Sequence, residues 1–263
     1  MKQFTAVILA AGKGKRMKSF LPKALHSLAG YPLIYYALVK LSRLKKYVKQ
    51  VIVVLGHEGK AVEREVKKHF PNVDFVYQKE LTGTASAIKC VRKEVKHRNV
   101  LILCADTPLI QEKTIFSFIS RHLRQRGAVS LISAQAQGEN ELGRVIRDNK
   151  GSIKAIREEI ELSGKRASKE VNSGIYCFSR EALFSSLDKI TKNKKKQEYF
   201  LTDIIEILYK NGHKIGSYPL KDSSEILGIN TQKDLYLAGQ ILRTRIIEAF
   251  VEKGVQIVDW RNT

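Results

Sequence analysis

The segment Leu9-Ala10-Ala11-Gly12-Lys13-Gly14-Lys15-Arg16-Met17 joins two glycines, small neighbours and three cations directly behind an apolar run. Glycines let a short loop turn its backbone N–H groups inward, making a concave nest for an anion. Lys13, Lys15 and Arg16 add positive charge, and Lys23 follows after Pro22. Together they suit a triphosphate. A dinucleotide fingerprint would need a third glycine where Met17 stands and an acid where Gly56-His57 stand, and no G-x-x-x-x-G-K-[ST] loop is present. An ordinary glycine turn between strand and helix also accounts for the loop taken alone.

The surrounding pattern says what must position these groups. Ala6 to Ala10, Val51 to Leu55, Phe75 to Tyr77 and Val100 to Cys104 read as strands, most of them apolar on both faces as in a buried parallel sheet. Between them the spacing predicts helices over 32–47, 58–70 and 85–95, with a further helix over 112–126 and a strand near Val129 to Ile132. This rhythm predicts a doubly wound, mainly parallel α/β sheet, which binds ligands beyond the carboxyl ends of its strands. Gly12, Gln78 and Asp106 all fall just past such ends.

After about residue 138 the pattern changes. Short strands at 144–146, 153–156 and 174–178 predict a smaller mixed or antiparallel edge or lid over the site. A helix over 201–211, a last long helix over 234–253 and the start of a strand at Val255 to Val258 complete the reading. The expected organisation is a domain over 1–230 in two parts, one with the glycine loop to about 137 and one from about 138, which the family resemblance given below implies to be the nucleotide-binding and sugar-binding parts. Residues 231–263 form a C-terminal extension.

Composition narrows the partners. The 47 Lys+Arg against 26 Asp+Glu give a net charge of +21, which attracts polyanions. The cations are spread along the chain, and its densest run, Lys192 to Lys196, reads as a solvated loop that could also steer an anionic substrate. No aromatic-rich nucleic-acid module accompanies the charge, so no nucleic-acid partner is expected. No apolar run is long enough for a membrane span, and Met1 to Thr5 reads as the start of a cytosolic protein rather than a signal peptide. Cys90, Cys104 and Cys177 are far apart, which argues against a zinc site or a disulfide framework. The six histidines are scattered, with no Ser-His-Asp arrangement or G-x-S-x-G turn.

The loop, followed by Leu21-Pro22-Lys23-Ala24-Leu25-His26 and Ser27-Leu28-Ala29-Gly30-Tyr31-Pro32, resembles the opening of the sugar-phosphate nucleotidyltransferases. Within them it is similar to the N-acetylglucosamine-1-phosphate uridylyltransferase branch, and the resemblance recurs in order along nearly the whole chain. It implies UTP and N-acetylglucosamine-1-phosphate as substrates and Mg²⁺ as cofactor. Leu9, Ala10, Ala11 and Gly12 would contact the nucleotide, with Arg16 and Lys23 as the catalytic phosphate-stabilising cations. Gln78, Gly83 and Thr84 would read the base, and Cys104, Ala105 and Asp106 would line the nucleotide site. Asp106 and Asn230 would hold the metal, since Mg²⁺ takes one or two protein oxygens plus substrate oxygens. As a lone residue, Asn230 also reads as the N-cap of the last helix. Gly143, Glu158, Asn172 and Asn230 would bind the sugar, with the adjacent Glu159 an alternative to Glu158. The segment Glu198 to Asp203 resembles another lining of that pocket.

Several positions depart from the family pattern. Lys15 stands where Thr is usual, Cys104-Ala105 replaces Tyr-Gly, and Ala85-Ser86 replaces Gly-His. None removes a phosphate or metal group, but they leave base and sugar preference open. A CTP- or GTP-using relative remains an alternative, as does a non-catalytic nucleotide- or RNA-binding protein. Val255 to Asp259 resembles the first residues of the hexapeptide-repeat β-helix of bifunctional members. The acetyl transfer carried by those repeats is not expected of residues 1–263. A homo-oligomer is possible but has no support without that β-helix.

Overall fold

The computed structural model describes residues 2–56, 58–136, 140–162 and 168–263. The chain begins with β1 (Phe4–Ala10), passes through the glycine loop and a two-strand hairpin, β2 (Ser27–Leu28) with β3 (Tyr31–Pro32), and enters α1 (Leu33–Arg43) with Pro32 at its N-cap. It continues through β4 (Val48–Leu55), α2 (Gly59–Lys67), β5 (Asp74–Tyr77), α3 (Thr84–Cys90), β6 (Asn99–Cys104) and α4 (Glu112–Gln125). The second half holds β7 (Val129–Gln135), β8 (Arg144–Arg147), β9 (Ile153–Arg157), β10 (Glu170–Ser179), α5 (Arg180–Leu187), α6 (Asp203–Lys210), β11 (Ile215–Leu220) and α7 (Gln232–Val251).

One sheet runs through the molecule in the order β11-β7-β10-β6-β1-β4-β5, with β8 and β9 attached beside β10. β1 pairs in parallel with β4 and β6, β4 with β5, and β7 with β11. Alternating side chains feed two cores. Phe4, Ala6 and Ile8 of β1 pack under α1, α2 and α4 with Leu38, Val62 and Phe118. Val7 packs on the opposite face with Ile88 of α3, Leu183 of α5 and Ile204 of α6. Helices on both faces of a mainly parallel sheet make the doubly wound α/β layer expected from the sequence. A smaller third core, with Met17, Leu33, Leu109, Ile229 and Ala238, seats α7 behind the glycine loop. No helix among the described residues is long and apolar enough to cross a membrane.

Three expectations change. Gly174 to Phe178 does not form an edge or lid: it belongs to β10, antiparallel in the middle of the sheet between β6 and β7. Its Val, Ile, Tyr, Cys and Phe side chains are buried on both faces, so the apolar run was a sign of centrality. β11 was not anticipated, because Pro219 interrupts its pattern; Pro is tolerated there since β11 is an edge strand. Residues 255–258 form no strand, having no pairing partner among the described residues. The short strands β8 and β9 do form the expected antiparallel pair. The expected boundary near 137–138 lies outside the described residues.

A candidate active site at the carboxyl ends of the parallel strands

A cleft of about 800 Å³ opens where β1, β4 and β6 end. Its floor and one wall come from Leu9 to Lys15, the next from Cys104 to Asp106, and a third from Gln78, Gly83 and Thr84. The backbone N–H groups of Gly12, Lys13 and Gly14 make no hydrogen bond among the described residues, so the loop presents free donors beside three lysines, Lys13, Lys15 and Lys23. That is an anion nest in chemistry and in place. Gly14 has φ 58°, and a Cβ there would lie 2.8 Å from the Cβ of Lys23. Glycine is thus required both by the left-handed turn and by the close approach of the lysine.

The Lys23 ammonium is the centre of the site. It donates to Oδ2 of Asp106 and, at 3.0 Å, to Oδ1 of Asn230. Asp106 comes from the turn after β6, and Asn230 from the segment before α7. These two segments are tied together by Ile229 N–H donating to the Asp106 carbonyl at 2.8 Å. The two side-chain oxygens therefore converge on one cation, a donor set that would suit a divalent ion sharing its other positions with phosphate oxygens. No cluster of three His, Cys, Asp or Glu side chains offers a metal site among the described residues. The expectation that Asn230 caps α7 is corrected: Thr231 is the N-cap, accepting from Asp234 N–H at 3.1 Å while Asp234 accepts from Thr231 N–H. Asn230 is left with its side chain free to face Lys23.

Behind this pair lies a clamp that no sequence motif announces. Lys40, on α1, donates to the Pro108 carbonyl at 2.5 Å, and Arg245, on α7, donates to the Leu109 carbonyl at 2.7 Å. Glu225 accepts from Gln111 N–H at 2.9 Å. The turn that carries Asp106 is thus held from three sides. Burial, reinforced by the nearby Arg245 charge, pushes the Lys40 pKa down to about 8.

The base-reading candidates sit together on the opposite wall. Gln78 is buried, its N–H donating to the Leu55 carbonyl at 2.8 Å and its Nε2 to the Gly83 carbonyl at 3.2 Å. Gly83 has φ 113° and packs so closely on Tyr199 that a Cβ would lie 2.7 Å from its backbone nitrogen. Tyr199 N–H donates to Thr82, Ala85 N–H to Tyr199, and Leu201 N–H to Thr84 Oγ1 at 2.9 Å. These bonds zip the 82–85 turn to the Glu198–Phe200 segment, so two segments far apart in sequence become one wall.

The sugar candidates also gather. Asn172 N–H donates to the Gly143 carbonyl at 2.8 Å, and Glu158 Oε2 lies 3.5 Å from where a Gly143 Cβ would stand. Glu158 lines the cleft and accepts from Thr202 Oγ1 at 2.7 Å; burial raises its pKa. Glu159 instead pairs with Arg144 at 3.1 Å, away from the cleft. Asn172 is buried, its Nδ2 donating to Tyr176 Oη at 2.7 Å while its Oδ1 has no partner among the described residues. An unpaired buried acceptor is costly, and a ligand N–H or O–H would satisfy it. The register of β10 breaks between Asn172 and Tyr176, where Gly174 has φ 76°. That irregularity brings the Gly174 carbonyl to 4.0 Å from Cys104 Sγ, at the joint of the two halves. Burial and the Asp106 charge push the Cys104 thiol up to about 12, which keeps it protonated.

Arg16 stands apart. Its guanidinium pairs with Glu141 at the exposed rim rather than lining the cleft. Lys196 does line the cleft, a position in keeping with the steering alternative to a plain solvated loop.

A nucleotidyl transferase family model matches residues 5–260. The chain belongs to the nucleotidyl transferase family. It is 38% identical over 262 residues to a protein named Bifunctional protein GlmU from Acetivibrio thermocellus, and 37% identical over 262 residues to that of Heliobacterium modesticaldum. Each alignment covers 98% of this chain and 56% of the relative, so the chain spans little more than half of these proteins' length. Among solved structures, UDP-glucose pyrophosphorylase complexed with UDP-glucose superposes with a TM-score of 0.74 at 15% identity, covering 92% of this chain and 99% of that one. Inositol-1-phosphate CTP transferase from T. maritima superposes with a TM-score of 0.65 at 16% identity, covering 83% and 86%. At such identities the two structures speak for the fold alone. The nucleotidyl transferase cleft thus occupies the crevice that an open α/β sheet offers at its strand ends.

Proposed function

We propose that this nucleotidyl transferase moves a uridylyl group from UTP to N-acetylglucosamine-1-phosphate, giving UDP-N-acetylglucosamine and pyrophosphate. The observation that carries the reading is the continuity of one cleft. Its lining runs from the free N–H groups of Gly12 to Gly14, past Lys23 and Asp106, to Glu158, with Asn230 bonded to Lys23 and Asn172 bonded to Gly143 beside Glu158, both set behind the lining. Triphosphate, reacting phosphorus and sugar find complementary groups in that order. The unpaired Asn172 Oδ1 favours a sugar with an extra donor, such as an acetamido N–H.

In this reaction an oxygen of the sugar phosphate forms a bond to the α-phosphorus as the bond to pyrophosphate breaks. The attacking phosphate is already an anion at pH 7, so no strong general base is needed; positioning and charge neutralisation carry the rate. The free N–H groups of the loop hold the departing phosphates, with Lys13 and Lys15 adding charge. Lys23 places an ammonium beside the α-phosphate, and Gln78 with the Gly83 turn presents the amide edges that can pair with uracil. Glu158, oriented by Thr202, and Asn172 orient the sugar. Asp106 and Asn230 would hold Mg²⁺, which when bound would neutralise phosphate oxygens. Both substrates are highly charged and membrane-impermeant, which favours a cytoplasmic reaction.

The test is pyrophosphate release with a panel of nucleoside triphosphates and sugar 1-phosphates. UTP with N-acetylglucosamine-1-phosphate should give the highest kcat/KM. Preferential use of CTP or GTP, which Cys104-Ala105 and Ala85-Ser86 leave open, would overturn the base assignment. A preference for glucose-1-phosphate would overturn the sugar assignment.

A further inference from the structure

The opposite pole of the molecule carries a second groove, of about 570 Å³, lined by Lys2, Tyr47, Phe116, Arg121, Arg124 and Tyr218 with intervening serines and Leu123. Lys2 precedes β1 and Tyr47 precedes β4, so this groove opens at the amino ends of the parallel strands, whereas the catalytic cleft opens at their carboxyl ends. No carboxylate lines it. Arg124 and Lys2 have no ion pair or hydrogen bond among the described residues, and Arg121 has only its contact with the Tyr218 ring, at 5.9 Å. The nearest acid along α4, Glu112, pairs with Arg43 on the far side of Phe116. The cationic groups are therefore uncompensated by the protein itself.

The aromatic rings are held in place. Tyr47 meets Phe116 edge-on at 5.8 Å, and Lys46 approaches the Tyr47 ring at 5.8 Å. Tyr218 is fixed edge-on against Phe118 of the core at 6.0 Å. Phe116 nevertheless keeps 45% of its surface in solvent, on a helix whose other apolar residues are buried or, at Leu123, half-buried. A half-exposed ring beside arginines that no carboxylate neutralises suits a ligand that is both anionic and aromatic. Fixed rings interleaved with cations are what a single-stranded nucleic acid needs: phosphates find charge, and bases find faces for stacking. A lipid surface would be met by protruding apolar side chains; here Tyr47 and Tyr218 are partly buried along a groove.

We infer that this groove binds a short single-stranded segment of nucleic acid, with Arg121 and Arg124 on its phosphates and Phe116 under a base. The sequence expectation of no nucleic-acid partner rested on the lack of a contiguous aromatic-rich module. These aromatics come from positions 47, 116 and 218, and only the fold unites them. The inference is independent of the catalytic reading, since none of these residues touches the cleft.

The test is fluorescence anisotropy of a labelled oligouridylate of roughly twelve nucleotides with the full chain, titrated over a range of salt concentrations. Arg121→Gln/Arg124→Gln should weaken binding and lower the log–log salt slope by about 1.4, the value for two lost phosphate contacts on a single strand. Phe116→Ala should weaken binding roughly 5- to 100-fold with little change in slope. Saturating UTP should not displace the oligonucleotide, and pyrophosphate release by the variants should stay at the wild-type level, which also shows that they are folded. The inference is overturned if the double arginine variant binds like wild type, if UTP competes, or if phosphatidylserine vesicles bind at this groove while the oligonucleotide does not. Binding that survives Phe116→Ala unchanged would overturn the stacking role and with it the nucleic-acid assignment.

Discussion

Replacing Lys23 with alanine separates two roles that the structure places on neighbouring atoms. The ammonium binds Asp106 and Asn230 together, and its side chain is only 17% exposed. A unit charge about 4 Å from a phosphate oxygen is worth about 4 kcal/mol at an effective dielectric near 20. Residual solvent reduces that, so the expected loss in kcat is roughly 100- to 1,000-fold, in the range seen when one transition-state donor is removed. The same change frees the two oxygens from a competing cation. The Mg²⁺ concentration for half-maximal rate should then hold steady or fall, even as kcat collapses. Asp106→Asn makes the contrast: it should raise the Mg²⁺ requirement by about tenfold or more, in keeping with the loss of one of few protein ligands. The assay is steady-state pyrophosphate release at saturating UTP and sugar phosphate, with Mg²⁺ varied for each variant and for the double variant. Because the two residues act on one cluster, the double variant should be far less impaired than the product of the single losses. A Lys23→Ala enzyme within about fivefold of wild-type kcat would refute the charge role, since that loss is below what any single buried donor supplies. A Mg²⁺ requirement that rises in parallel would refute the idea that the ammonium and the metal share the same oxygens.

Other consequences can be checked separately. On the proposed function, Asn172→Ala should raise KM for the sugar phosphate about tenfold while leaving KM for UTP unchanged, because Asn172 is bonded to Gly143 beside Glu158 and its buried Oδ1 is unpaired among the described residues; a change in the UTP term would relocate the residue's role. Lys40→Met should lower activity by loosening the Pro108 turn, while urea denaturation shows stability unchanged or raised. Holding an ammonium whose pKa is pushed to about 8 costs the fold about 3 kcal/mol at neutral pH, which offsets the lost hydrogen bond; a large loss of stability would contradict this. His122, buried and bonded to Ser130 at 2.9 Å, has its pKa pushed down to about 4 by burial. Its folded value lies below its unfolded one, so its contribution is full above about pH 6.5 and is lost as pH falls toward 4. Between pH 7.5 and 5 wild type should lose about 2 kcal/mol more than His122→Gln in urea denaturation, and equal losses would show that the imidazole is not the group responsible.

The parallel half of the fold was legible because its signals are local. β1, β4 and β6 hold continuous apolar runs, and the residues just past β1, β5 and β6, Gly12, Gln78 and Asp106, are of types that suit a strand-end site. The second half was harder because its signals are tertiary. β10 looks like one more short strand until its neighbours are known, and nothing in its sequence says that it inserts between β6 and β7. β11 was hidden by Pro219, which matters only for a strand paired on both sides. The phosphate and metal candidates sit in recognisable motifs and were placed by residue. The groups that hold the Asp106 turn in position were not, since Lys40 and Arg245 carry no motif and act through contacts made by folding alone. Asn230 shows the same limit in miniature: a residue before a helix reads as its cap, and only the Thr231–Asp234 pairing reveals that the cap is one residue later.

On the proposed function, the placement of β10 also accounts for how one cleft could serve two substrates. β10 hydrogen-bonds to β6, which ends at Cys104 and the Asp106 turn, and to β7 and β8, which border the sugar pocket. Its register break at Asn172 to Tyr176 falls between these partners. One end of the strand is therefore locked to the nucleotide half, and the other delivers Asn172 to the sugar half. On the opposite side of the cleft, the 82–85 turn and the 199–201 segment are joined by backbone bonds that need Gly83. A transfer reaction needs its two phosphates brought within bonding distance along one line. A sheet strand on one side and a backbone zipper on the other leave little freedom for the two halves to move apart. On the proposed function, Lys23 and Asp106 would then act between walls whose spacing is set by the fold rather than by the substrates.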